Sequence, residues 1–133
     1  MLKQLPHGIK MNITRSIKKV FEQYMANIQW DEQKYDAVQF MNEWRNYIHN
    51  YAPWFQQLDD SVKINPQFHE QLAQRINEII EQMLNEPPTD EQIAEINRLV
   101  QKLGVDDFPY SCKAEAKYHI DRLRNQLKKN SAI

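Results

Sequence analysis

The sequence predicts an all-α fold: a small bundle of three longer helices, with room for one short helix, followed by a two-helix C-terminal unit. Three observations predict it. Apolar residues recur at three- and four-residue steps along most of the 133 residues. No segment sustains the period-two alternation of β-branched residues that marks a strand. There are only two glycines, whereas a many-turned β protein needs residues tolerant of positive φ.

The same composition excludes several functions. A single cysteine leaves no internal disulfide framework and no cysteine-built zinc site. Two glycines cannot build a glycine-rich phosphate loop. The N-terminus lacks the apolar run of a secretory signal, and no stretch approaches the roughly 20 apolar residues of a membrane span, so a cytoplasmic setting is expected. The length suits one domain with at most a small appendage. The expected division is a leader over residues 1–12, a helical bundle over 13–86, and a helix-turn-helix-like unit over 87–133.

The first helix is expected from about Ile13 to Ile28. Ile13, Ile17, Val20, Phe21, Tyr24, Met25 and Ile28 fall on one face, with Asn12 or Thr14 as cap. The second runs from about Asp31 to Tyr51. Ala37, Met41, Trp44, Ile48 and Tyr51 form its row, widened by Phe40 and Tyr47, and Pro53 ends it. Residues 54–64 form an apolar connector with space for one short helix ending near Asp59–Asp60. Asn65-Pro66 opens the third helix, with asparagine as N-cap and proline at the first helical position. Phe68, Leu72, Ile76, Ile79, Ile80 and Met83 trace its face until Pro87-Pro88 stops it. Thr89-Asp90-Glu91-Gln92 is a capping box. Ile93, Ile96, Leu99, Val100 and Leu103 follow inward, and Gly104 stands where a left-handed residue ends a helix. After a turn over 105–110, Ser111 is the expected cap of a last helix with Ala116, Ile120, Leu123 and Leu127 inward.

No catalytic, cofactor or metal constellation emerges. His7, His49, His69 and His119 share no i, i+3 or i, i+4 spacing. Cys112 precedes a helix, where the dipole lowers a thiol pKa, but His119 is seven residues on, roughly 10 Å along the helix. Asp59-Asp60 and Asp106-Asp107 flank turns, where aspartate serves local hydrogen bonding. An enzyme is therefore not expected.

Two features point to partners. Aromatic residues crowd residues 30–55, and one stripe cannot bury 40, 41, 44, 47, 48 and 51 together. Either the second helix is central, or it carries an interface. Tyr35, Tyr47, Tyr51 and Trp54 are the protein-interface candidates, and the apolar surplus makes self-association a further expectation. Charge is segregated as well. The net charge is −1, yet residues 1–19 carry +5, residues 20–112 carry −10 and residues 113–133 carry +4. The basic ends make Lys18, Lys19, Lys117, Arg122 and Arg124 the candidates for nucleic-acid contact.

Residues 88–127 match a pattern T-x-x-Q-x-x-x-I-x-x-L-x-x-x-L-G, then a turn, then E-A-x-x-x-I-x-x-L. Thr89, Gln92, Ile96, Leu99, Leu103 and Gly104 carry the first half, and Glu115, Ala116, Ile120 and Leu123 the second. This stretch resembles a short helical module of phage and mobile-element proteins of Gram-positive bacteria, found in replication and recombination proteins. The resemblance implies a mobile-element setting. The functional expectation is a non-enzymatic interaction protein that binds, and thereby inhibits or modulates, a partner protein through an acidic, aromatic-rich helical surface. The alternative is a nucleic-acid-associated accessory of phage replication or recombination.

Overall fold

The computed structural model of the chain describes residues 2–131. Seven α-helices and no strand occur among them. These are α1 (His7–Asn27), α2 (Ala37–Asn50), α3 (Pro53–Gln56), α4 (Asp60–Lys63), α5 (Pro66–Asn85), α6 (Asp90–Leu103) and α7 (Lys113–Ser131), with 3-10 turns at Leu2–Gln4 and Glu32–Lys34. The protein is all-α, as its periodicity predicts. It divides into two compact units, Met1–Glu81 and Gln82–Ile133. The division falls inside α5, a few residues before the Pro87-Pro88 pair expected to mark it. The prolines end the helix, but its last turn belongs to the second unit.

In the first unit, the described part of the expected leader is structured (Met1 lies outside the described residues). α1 starts at His7, six residues before the apolar pattern begins. Pro6 opens it: its carbonyl accepts from the backbone N–H groups of Ile9 and Lys10 at 3.0 and 3.1 Å. The early turns expose most of their side chains, so periodicity carries no trace of them. α1 then buries Ile13, Ile17, Val20, Phe21, Tyr24 and Met25. It closes without glycine. The N–H of Trp30 donates to Met25 O at 2.8 Å and that of Gln29 to Ala26 O at 3.0 Å, with both residues at positive φ. This is a Schellman closure with a glutamine at the usual glycine position. It returns the chain so that the Tyr24 hydroxyl accepts from the Asp36 N–H at 2.8 Å.

Asp36 caps α2, accepting from the backbone N–H groups of Val38 and Gln39 at 2.9 and 3.2 Å. The helix therefore starts at Ala37, and Asp31 instead caps the preceding 3-10 turn. α2 buries a single stripe of Phe40, Trp44 and Ile48, so it is not a central helix. Ala37 and Tyr51 leave the expected row because they are terminal. Ala37 is the first helical residue, and Tyr51 is the C-cap with φ −131°. The connector forms two four-residue helices rather than one. Asn65 caps α5 as expected, with its side-chain oxygen 2.8 Å from Gln67 N. Up to Glu81, α5 buries Phe68, Leu72, Ile76 and Ile79.

In the second unit, α6 packs on α7. Ile96 and Leu99 meet Ala116, Ile120 and Leu123, edged by Val100, Leu103, Val105, Phe108, Tyr110 and Leu127. The Thr89–Gln92 capping box forms in both directions at 3.1 Å, and Gly104 ends α6 at φ 67°. Ile93, expected inward, is exposed. The cap of α7 is Cys112 rather than Ser111, since the Cys112 carbonyl accepts from Ala116 N at 2.9 Å. Ser111 lies one residue outside, its N–H donating to the Glu115 carboxylate at 2.8 Å.

Candidate functional site

The interface candidates separate sharply. Trp54 is not a surface residue. Pro53 starts α3 and turns Trp54 inward, where it is 3% exposed and donates its indole N–H to Ser16 Oγ at 2.9 Å. A buried indole needs that partner, and Ser16, itself buried, supplies it. Sequence spacing cannot show this, because a serine on an apolar helix face carries no pattern of its own. Tyr35 is 41% exposed, but its ring meets Tyr24 edge-on at 5.6 Å. Partial burial, and then the neighbouring Tyr24, raise its hydroxyl pKa above the usual value.

Tyr47 and Tyr51 form the remaining pair. Trp44, 2% exposed, stacks with Tyr47 at 6.3 Å and 26° between planes. Tyr47 in turn lies 6.4 Å from Tyr51, which is 69% exposed. On the core side, Trp44 lies 6.4 Å from Trp54. Four aromatic rings thus run in sequence from the core to solvent. The i, i+4 spacing of Tyr47 and Tyr51 sets the outer step. Lys19 of α1 brings its ammonium 5.8 Å from the Tyr47 ring centroid, a cation–π distance. The arrangement is an aromatic ridge with one cation beside it. It can stack on a flat group or fill a partner's pocket.

The basic candidates fall in both units. Lys18 and Lys19 lie exposed on α1 of the first unit. In the second unit, Arg124 is committed to Glu95 at 2.6 Å, a carboxylate that also accepts from Arg98. The two guanidinium hydrogen bonds, from Arg98 and then Arg124, hold the Glu95 carboxyl down to about 2. Arg122 donates its Nε–H to His119 Nδ1 at 3.0 Å and lies 4.7 Å from the Phe108 ring centroid. Lys117, exposed, has a partner of its own. The α7 cations are therefore largely engaged within the protein rather than presented as a phosphate-binding row.

Two titratable residues of the second unit are buried. His119 is 8% exposed, inside a cage of Phe108, Tyr110, Tyr118 and Arg122. Burial, and then the Arg122 charge, push its pKa down to about 4. The apolar turn Phe108-Pro109-Tyr110 is the sequence signal that could have placed it. Cys112 is buried, and desolvation pushes its thiol pKa up rather than down, which removes it as a nucleophile near neutral pH. Among the described residues, no three His, Cys, Asp or Glu side chains group to hold a metal ion. Nor is any helix among them long and apolar enough to cross a membrane. Compared with protein-family models, curated proteins and solved structures, the chain matches none.

Proposed function

We propose that this protein is a non-enzymatic interaction protein that binds a partner protein through the Tyr47–Tyr51 face of α2. The observation that carries the reading is the ring sequence from Trp44 through Tyr47 to the exposed Tyr51. Aromatic side chains that are exposed yet held by a buried base lose little entropy on binding, which is the profile of a hot spot. Acidity does not distinguish this surface, since the first unit holds nine basic and ten acidic residues. A phage or mobile-element setting, in a cytoplasm, rests on the resemblance of residues 88–127. The residues that carry it mostly have structural roles here: Thr89 and Gln92 cap, Gly104 terminates, and Ile96, Leu99, Ala116, Ile120 and Leu123 pack.

A second reading, contact with single-stranded nucleic acid, is favoured by Lys19 beside Tyr47, because such sites combine cations with stacking rings. One experiment separates the two. Immobilised protein, wild type and Tyr47→Ala/Tyr51→Ala, is challenged with lysate of a Gram-positive host. In parallel, anisotropy is measured with a labelled oligothymidylate at two salt concentrations. The protein-binding reading predicts a prey retained by wild type and lost with the variant. Micromolar oligothymidylate binding that weakens steeply with salt and needs Lys19 would favour the second reading instead. Self-association through the same face predicts a dimer in light scattering that Tyr51→Ala dissolves.

A further inference from the structure

Away from the aromatic ridge, the first unit holds an open cleft of about 550 Å³ between its N-terminal turn, α1 and α5. That volume lies within the roughly 300–1,000 Å³ of small-molecule sites. Lys3, Lys10 and Arg75 line it against one acid, Glu78, so its charged lining sums to +2. Two of the three cations, Lys10 and Arg75, are held in place. The Leu2 N–H donates to Gln71 Oε1 at 2.9 Å, tying the N-terminal turn to α5. The Lys10 ammonium donates to the Lys3 carbonyl at 3.2 Å. Arg75 is braced by Glu78 at 3.1 Å and Thr14 Oγ1 at 3.5 Å. Neither lysine has a carboxylate within ion-pair distance among the described residues. Leu2, half-buried, is the apolar residue of the lining with surface to offer, since Ile13 is almost wholly buried.

We propose that this cleft binds a small phosphate monoester carrying a flat or apolar body, such as a mononucleotide. A phosphate monoester carries close to two negative charges at neutral pH, which matches the +2 lining better than a single carboxylate would. A guanidinium and two ammonium groups are phosphate ligands, and the Leu2 side chain offers the body an apolar contact. The volume suits one small molecule rather than a strand.

The test is an NMR titration of the isotope-labelled full chain with adenosine 5′-monophosphate, with adenosine as the uncharged control. The expected result is shifts concentrated at residues 2–14 and 71–78, with adenosine far weaker. Arg75→Gln and Lys10→Gln should each weaken binding by about tenfold. Arg75 also braces Thr14, so Lys3→Gln, at an exposed position, provides a variant that leaves packing alone and should weaken binding in the same direction. The proposal is overturned by any of three results: no shifts at millimolar nucleotide, equal binding by all three variants, or shifts centred on Lys128 and Lys129. Tighter binding of a short oligothymidylate at the same residues would overturn it in favour of a strand.

Discussion

Tyr51 and Trp54 stand three residues apart and have opposite fates. The indole of Trp54 loses water on all sides and donates one hydrogen bond to Ser16 Oγ in its place, whereas the Tyr51 ring keeps most of its surface in solvent. Trp54→Ala should therefore cost about 3–5 kcal/mol in chemical denaturation. Tyr51→Ala should change stability by no more than about 0.5 kcal/mol while weakening partner binding by at least about tenfold. His119 makes a different prediction. Its pKa is about 4 in the folded protein and near 6.5 in the unfolded chain. Between those values the unfolded state holds the extra proton, so stability falls as pH drops from 6.5 towards 4 and levels off below. The loss amounts to roughly 3 kcal/mol. Glu95 acts further down: its folded value of about 2 means its contribution disappears only below its ordinary carboxyl range. Acid titration followed by residue-resolved NMR should show the second unit loosening first. His119→Gln should flatten the step between pH 6.5 and 4. Of the burial of His119 the sequence carries only the hint of the apolar Phe108-Pro109-Tyr110 turn, since turn and helix meet only in the folded unit.

At the scale of elements, most helices were legible, because capping and periodicity are local physics. The capping box at Thr89, the left-handed Gly104 and the Asn65-Pro66 start each form as the residue types require. The failures are instructive. The start of α1 lies ahead of the apolar period because its early turns expose their side chains, and Pro6 is the better marker. The buried row on α2 is shorter than its periodicity, because periodicity does not say where a helix ends and Tyr51 leaves it at the C-cap. The end of α1 puts Gln29 and Trp30 at φ 58° and 54°, which no propensity anticipates. Two substitutions test these ends. Gly104→Ala meets no atom within 4 Å, so its whole effect is backbone strain, a loss of about 1 kcal/mol in melting experiments. Gln29→Gly should act in the opposite sense, stabilising by up to about 1 kcal/mol as the left-handed strain is relieved.

For the whole molecule, the sequence-level picture of basic ends around an acidic middle is redrawn by folding. The first unit has nine basic and ten acidic residues, and the second has eight of each. Much of the α7 charge is spent on internal partners such as Glu95 and His119. What distinguishes the first unit's surface is therefore its aromatic ridge rather than its charge. Half of that site was legible: the density of aromatics singled out Tyr47 and Tyr51. Sorting them from Trp54 required knowing that Ser16 lies opposite it. A photoreactive phenylalanine at position 51, and at exposed Lys102 as control, irradiated in host lysate reads partner contact at this face directly. Binding through the Tyr47–Tyr51 face predicts a discrete protein adduct from position 51 that the control lacks and that Tyr47→Ala diminishes. Cross-linking to nucleic acid instead, or the same adducts from both positions, would contradict it.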